Sequence, residues 1–294
     1  MPSFPRTRKR TTKVNLESKH NSKTASLYGG AVFYIPGENM DTRPIGMFDS
    51  GMGGISLLRN CVRLLPGEDF VYYGDDKNAP YGTRSESEIL SLARADVGFL
   101  LSKNVKAIVI ACNTATSAAA KVLRAEMDMP IIGIEPALKP AQEHRKDGII
   151  AVLATPATLR QQKFTDLMAL YGENAVPLPA AGLMEFAERG ETDSPALAEF
   201  LKGIFAPLNG AKLDGVVLGC THYTFLASAI RKVLPGVALY DGNEGTARQL
   251  MRVLGQRGLL NESGKTGSVS LYTSGEEEET LARMRMLLTK PIEL

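Results

Sequence analysis

The chain lacks long apolar runs and has few of the side chains that hold metals. Its 294 residues contain no apolar stretch near the roughly 20 residues of a membrane-spanning helix, so no membrane association is expected. Among three cysteines and three histidines, only Cys220 and His222 lie close in sequence, whereas zinc takes three or four ligands. Nothing marks the chain as secreted, so a disulfide between Cys112 and Cys220 is poorly supported. Neither a metal nor a disulfide is therefore predicted.

Motifs of several common enzyme classes are also missing. The glycine-rich segment at residues 49–54 does not have the GxGxxG spacing, and no Gly-Lys-Ser/Thr sequence completes it. The serine-hydrolase pattern GxSxG does not occur, and no lysine stands in a setting that favours a pyridoxal Schiff base. What remains at 49–54 is a strand-to-helix turn whose backbone N–H groups can hold a carboxylate. Asp49 in this turn is interpreted either as a helix cap or as a charged catalytic partner.

Acidic residues are scarce at the start of the chain. Residues 1–40 carry seven basic residues against two acidic ones, a net charge of +5. The whole chain has a net charge of +2, so the remaining residues carry −3. This tail is polar and aperiodic before residue 31, so disorder is predicted, and it has no apolar segment typical of a secretory signal. The alternatives are a transit peptide, nucleic-acid binding by residues 8–10, and a start at Met40. No nucleic-acid partner is predicted, because no aromatic residues interleave the basic cluster.

What the chain does contain is a motif that occurs twice. The sequence AIVIACNTAT at residues 107–116 is echoed by GVVLGCTHYT at residues 215–224. Each copy has a short apolar run, which is typical of a strand buried on both faces, followed by a small residue and a cysteine. Cys112 and Cys220 are therefore expected at the carboxyl ends of parallel strands, where open α/β sheets place their ligands. Cys61, by contrast, lies on the apolar face of a predicted helix and is interpreted as a core residue.

Strands and helices alternate along the body, in a chain with 44% apolar and 22% charged residues. Predicted strands lie at 45–48, 70–73, 107–111, 131–134, 149–153, 215–219, 237–240 and 269–273. Among the predicted helices, one begins at a capping box, residues 85–88, another covers 157–171, and another runs from the Cys220 strand to Leu234. This alternation predicts an α/β protein with two similar lobes, each a mostly parallel sheet flanked by helices, and an active site in the cleft between them. A single barrel is the less favoured alternative.

Two thiols that face one cleft suit proton transfer at the Cα of an amino acid. A thiolate can remove this proton if a helix N-terminus or a cation favours its charge. Inversion then needs an acid on the opposite face, which a second thiol supplies. Asp49 and His222 can assist, and Asn113-Thr114 and Thr221-His222 are interpreted as helix caps or as donors to a substrate anion. The chemistry requires no cofactor, and none is predicted.

These residues resemble those of the glutamate racemases, cofactor-independent enzymes of the aspartate/glutamate racemase superfamily. The matching segments are residues 45–54, 80–82, 110–116 and 218–223, and the resemblance extends from about residue 44 to 290. It departs at Thr224, where the family commonly has proline, and it is loose over residues 180–190. The resemblance implies that Cys112 and Cys220 are the two acid/bases, with Cys112 acting on D-glutamate and Cys220 on L-glutamate.

The resemblance also implies a set of substrate-binding residues and a domain plan. The implied contacts are Asp49, Ser50, Tyr81, Gly82, Asn113, Thr114, Thr155, Thr158, Thr221 and His222, with Glu188 as a contact for the substrate ammonium. One lobe would comprise residues 41–134 and 243–294, and the other residues 135–242. The expected protein is a cytoplasmic isomerase that supplies D-glutamate for peptidoglycan. The sequence leaves open an aspartate racemase, a non-catalytic binding or regulatory protein on this scaffold, and a homodimer.

Overall fold

The computed structural model describes residues 27–28, 31–32, 41–275 and 277–289. Most of the basic tail lies outside these residues, so its predicted disorder stays a prediction. Within it, two short strands, β1 (Leu27–Tyr28) and β2 (Ala31–Val32), pair antiparallel. Contacts divide the chain into two units, residues 1–38 and residues 39–294.

We expect removal of residues 1–39 to leave the folded body intact. The tail is basic and aperiodic, and residues 39–294 form a compact unit of their own. A variant that starts at Met40 should keep the thermal midpoint and the turnover of the full chain. Differential scanning calorimetry and an activity assay of the two proteins would measure this. A marked fall in either quantity would mean that the tail packs on the body or regulates it.

The body consists of strands and helices in regular alternation. The strands are β3 (Ile45–Asp49), β4 (Phe70–Gly74), β5 (Ala107–Ile110), β6 (Ile131–Gly133), β7 (Ile149–Ala154), β8 (Ala175–Pro179), β9 (Leu213–Leu218), β10 (Ala238–Asp241) and β11 (Val269–Thr273). The helices are α1 (Ile55–Leu64), α2 (Glu86–Ser102), α3 (Asn113–Glu126), α4 (Leu138–Glu143), α5 (Pro156–Arg160), α6 (Gln162–Tyr171), α7 (Leu183–Glu188), α8 (Pro195–Phe205), α9 (Ala227–Val233), α10 (Asn243–Arg257) and α11 (Glu277–Thr289). Short 3₁₀ helices cover Asp76–Asn78, Tyr81–Thr83, Ala206–Leu208 and Thr221–Leu226.

The strands of the body form two sheets in which every pairing is parallel. The first sheet has the order β11-β4-β3-β5-β6, and the second has the order β10-β9-β7-β8. The predicted α/β fold with two parallel sheets flanked by helices is confirmed. The exact lobe boundaries stay a prediction. No helix of the described residues is long and apolar enough to cross a membrane.

Apolar residues cover both faces of the first sheet. Met47 on one face packs in a cluster with Leu58 of α1 and Leu250 of α10. Ile108 and Ile110 belong to a second cluster, with side chains from α2 and α3. Burial on both faces explains why the strands are continuous apolar runs rather than alternating patterns. Because the strands are buried on both faces, the residues that follow their carboxyl ends are held in defined positions.

Two predicted helices are interrupted. The predicted helix at 157–171 is split at Gln161, which is extended (φ −78°, ψ 144°) and ends α5 just before α6 begins. The Gln161 side chain donates a hydrogen bond to the Thr114 carbonyl at 3.3 Å. The segment after Cys220 starts as a 3₁₀ helix over Thr221–Leu226 and becomes α-helical only at Ala227.

Among the α-helices and strands described over residues 41–289, α4 and β8 were not predicted. Helix α4 has six residues, too few to show a clear apolar period. Strand β8 contains Pro177 and Pro179, which argue against a strand in a sequence because proline cannot donate to a sheet. It is the edge strand of the second sheet, where a missing N–H group is tolerated.

Candidate active site

The two repeated cysteines line one cleft of about 340 Å³. Cys112 follows β5 and Cys220 follows β9, and both strands are interior strands of their sheets. The carboxyl ends of parallel strands therefore bring both thiols to the same cavity, as expected for an open α/β sheet. The cleft is also lined by Ser50, Tyr81, Gly82, Asn113, Thr114, Thr155, Thr221 and His222.

Cys112 caps the helix that follows it. Its Sγ accepts a hydrogen bond from the Ala115 N–H at 3.4 Å and lies 3.5 Å from Ser50 Oγ. Burial, together with the nearby charge of Asp49, raises the pKa of the Cys112 thiol above its usual range. These surroundings therefore favour the neutral thiol of Cys112, and a cationic group at Cα would favour its thiolate.

Cys220 has a different partner, the His222 imidazole. Its Sγ lies 3.8 Å from His222 Nδ1, and the other ring nitrogen, Nε2, lies 3.3 Å from Glu188 Oε1. Burial alone would lower the pKa of His222, but its contacts with Cys220 and Glu188 outweigh burial and raise that pKa well above its usual value. These contacts thus favour the protonated imidazole next to the Cys220 sulfur.

Asp49 lies beneath the cleft and is fully buried. Its carboxylate accepts hydrogen bonds from the N–H groups of Ser50 at 2.8 Å and Gly54 at 2.5 Å. Thr221 Oγ1, from the segment after the second sheet, donates to it at 3.3 Å. Burial raises the pKa of Asp49 to about 6, against the lowering effect of His222 and the two N–H groups. Asp49 thus holds the turn at 49–54 and carries a charge close to the Cys112 thiol and the His222 imidazole.

Three threonine hydroxyls join the two sides of the cleft. Thr114, at the start of α3, lies 3.2 Å from Thr155 Oγ1 and 3.1 Å from Thr158 Oγ1, and the latter two are 3.0 Å apart. Thr114 and Thr155 line the cleft. Thr158 is buried behind them and lines a separate surface cavity. Thr114 and Thr155 therefore contact the cleft directly, whereas Thr158 is connected to it only through its hydrogen bonds to these two residues.

The chain is similar to known proteins. The family described as Asp/Glu/hydantoin racemase matches residues 45–250, which include both cysteines. The chain belongs to this family. A glutamate racemase of Clostridium botulinum (strain Loch Maree) is 46% identical over 246 residues, which cover 83% of this chain and 96% of that protein.

Solved structures of glutamate racemases have the same fold. The enzyme of Bacillus anthracis superposes with a TM-score of 0.78 at 30% identity, covering 86% of this chain and 96% of that one. The enzyme of Francisella tularensis, solved in complex with D-glutamate, superposes with a TM-score of 0.74 at 28% identity, covering 86% and 96%.

The structure places Glu188 away from the two thiols. Its carboxylate lies behind His222, and its side chain lines a larger cavity of about 730 Å³ instead of the cysteine cleft. Burial would raise the pKa of Glu188, but the His222 imidazolium outweighs burial and lowers it. Glu188 therefore contacts His222 in the structure. Its contact with the substrate ammonium stays a prediction.

Two charged residues of the cleft could not be identified from the sequence. Arg160 and Glu185 line the cleft, and within the described part of the chain Glu185 Oε2 is buried without a hydrogen-bond partner. The same holds for Oδ1 of Asn113, which the sequence did indicate. Neither Arg160 nor Glu185 belongs to a recognisable motif, so only the course of α5 and α7 reveals them.

Proposed function

We propose that this chain is a glutamate racemase, an isomerase that interconverts L-glutamate and D-glutamate by proton transfer at Cα. The observation that carries the proposal is the convergence of Cys112 and Cys220 on one cleft from equivalent strand ends. The 46% identity to a glutamate racemase over most of the chain supports the same substrate. The product D-glutamate serves peptidoglycan synthesis, the role that follows from the family.

In the proposed mechanism, one thiolate removes the Cα proton and the opposite thiol returns a proton to the other face. For L-glutamate, Cys220 is the base and Cys112 is the acid, and the roles reverse for D-glutamate. His222 stands next to the Cys220 sulfur and, as an imidazolium, can donate a proton to it. The negative charge of Asp49 raises the pKa of the Cys112 thiol, and the same charge attracts the substrate ammonium. Binding of this ammonium opposes the effect of Asp49 and favours the Cys112 thiolate.

The substrate carboxylates are held by neutral donors in this proposal. Helix α3 begins at Asn113, so the first N–H groups of the helix and the hydroxyl of Thr114 face the cleft. Ser50, Thr155 and Thr221 add hydroxyl groups around the same cavity. Hydroxyl and amide donors fix an anion by hydrogen bonds that carry no charge of their own. The charges of Asp49 and His222 therefore act mainly on the proton transfer.

Two further aspects of the proposal concern the setting of the protein. A cytoplasmic location and an association into homodimers stay predictions. Sedimentation equilibrium of the purified chain over a range of concentrations would measure its oligomeric state.

The proposed activity is tested by the loss of optical rotation of L-glutamate and, in a separate sample, of L-aspartate. The protein is first dialysed against a chelator and a carbonyl-trapping reagent. We expect L-glutamate to racemise with undiminished rate after this treatment, because two thiols do the chemistry without a metal or pyridoxal phosphate. Turnover of aspartate alone would overturn the choice of substrate. Activity that returns only with added metal or pyridoxal phosphate would overturn the mechanism.

A further inference from the structure

A buried hydrogen-bond chain lies behind one wall of the cleft. The wall is formed by the residues Tyr81 and Gly82 of a short 3₁₀ helix. The Tyr81 hydroxyl points away from the cleft lining toward two buried carboxyl groups. It lies 2.6 Å from Asp75 Oδ2 and 2.9 Å from Asp96 Oδ2. Tyr81, Asp75 and Asp96 are each at most 2% exposed.

One phenolic hydrogen cannot serve both carboxyl groups. Asp75 is the acceptor of choice, because it makes the shorter contact and also accepts from Asn78 Nδ2 at 3.0 Å and Ser274 Oγ at 2.6 Å. The Tyr81 oxygen then has only lone pairs to offer Asp96. Two oxygen atoms 2.9 Å apart in a buried site need a hydrogen between them, so this hydrogen must belong to the Asp96 carboxyl group.

We propose that Asp96 is a positioning residue that, in its protonated form, donates a hydrogen bond to Tyr81 and so holds this wall of the cleft in place. The chain runs from Asp96 to Tyr81 to Asp75, and Asp75 is in turn fixed by Ser274, which follows β11. The wall also reaches the other side of the cleft. A Cβ atom at Gly82 would lie 2.9 Å from Cβ of Thr155, so the backbone there is in close contact with the start of α5. Ionisation of Asp96 removes the donor and releases the wall.

The surroundings of Asp96 favour its neutral form. Burial, and then the charges of Asp75 and Asp49, raise the pKa of Asp96 to about 8, although the Tyr81 hydroxyl acts in the opposite direction. Burial and the two neighbouring aspartates, Asp96 and Asp75, raise the pKa of Tyr81 far above its usual value, so its hydroxyl stays protonated. Tyr73 of β4 is a further titratable neighbour. Helix α3, which also packs on α2, contributes apolar side chains to the shared core.

The test compares the parent with Asp96→Asn, which keeps a donor but cannot ionise. The comparison of KM and kcat rests on the proposed glutamate racemase activity. Above pH 8 the protonated fraction of Asp96 falls about tenfold per pH unit. The KM of the parent for glutamate should therefore rise by up to about tenfold per pH unit, while kcat changes less. Asp96→Asn should lack this rise, and Asp96→Val, with no donor, should have a raised KM at every pH. The surface variant Asp147→Asn, at a residue paired with Lys212, is the matched control and should behave like the parent.

Two further measurements do not depend on turnover. The infrared band of a protonated carboxyl group at pH 7 should be weaker in Asp96→Asn than in the parent. At pH 9 the amides of residues 79–84 should exchange faster in the parent than in Asp96→Asn. An unchanged band, or an alkaline rise of KM in Asp96→Asn equal to that of the parent, would overturn the proposal. A lost band and altered exchange in a protein that turns over neither enantiomer would support the role of Asp96 and count against the proposed function instead.

Discussion

Replacing either Cys112 or Cys220 with alanine should abolish racemisation, and the two variants should retain hydrogen exchange on opposite faces of the substrate. Racemisation needs one group to take the proton and another to return it, and the loss of a general acid or base typically costs about 10²–10⁴-fold. The remaining thiol can still remove and return a proton on its own face. In deuterated water, Cys220→Ala should slowly exchange the Cα hydrogen of D-glutamate, and Cys112→Ala that of L-glutamate. Proton NMR and chiral chromatography measure exchange and inversion separately.

Cys61 offers a matched control for both variants. It is fully buried on α1, and burial raises the pKa of its thiol to about 12. Cys61→Ala should lower the thermal midpoint through lost packing but keep the racemisation rate. Near-parental racemisation by either of the other variants would show that the two-thiol mechanism is wrong, whatever the family relationship.

The two copies of the motif differ in chemistry although their sequences are alike. Cys112 lies next to the carboxylate of Asp49, and its sulfur caps an α-helix. Cys220 lies next to the His222 imidazole, and the segment after it is a 3₁₀ helix without a side-chain cap. The two thiols thus lie in different electrostatic settings although their strands end alike.

Those parts of the fold that depend on local patterns could be predicted from the sequence. The apolar runs that became β5 and β9 are one example, since burial on both faces leaves a continuous signal. The capping box at Ser85 and Glu88 is another, and the structure has both of its hydrogen bonds. The break at Gln161 could not be foreseen, because it is stabilised by a contact with the Thr114 carbonyl in a distant part of the chain.

The same distinction applies to the candidate site. That Cys112 and Cys220 would reach one cavity followed from the rule for strand ends. The position of Glu188 behind His222 did not, because it depends on how α7 packs against the 3₁₀ helix at Thr221–Leu226. Asp96 was missed for a similar reason. It sits in the middle of α2, and its role arises only from a contact with Tyr81, whose loop folds back over that helix.

Gly53→Ala should reduce racemisation about 10²-fold or more, because the backbone at Gly53 lies directly against two site residues. A Cβ atom there would be 2.5 Å from His222 Nδ1 and 2.5 Å from Thr221 Oγ1, far inside van der Waals contact. His222 is almost fully buried, so it cannot move away without disturbing its contacts with Cys220 and Glu188. A misplacement of about 1 Å at a reacting centre can cost about 10²-fold in rate. Overpacking of this kind also costs about 1–3 kcal/mol of stability.

Gly98→Ala separates this effect from the general consequences of adding a methyl group. Gly98 lies within α2, and a Cβ atom there has no neighbour within 4 Å. Alanine at this position should stabilise the helix by up to about 1 kcal/mol and leave turnover unchanged. Chemical denaturation, steady-state racemisation rates and Cα hydrogen exchange in deuterated water with each glutamate enantiomer would be measured for each variant. Because the added atom is nearest to His222, the partner of Cys220, the loss in Gly53→Ala should be larger for exchange at L-glutamate than at D-glutamate. Parental rates in Gly53→Ala would mean that the position of His222 has no part in the proton transfer.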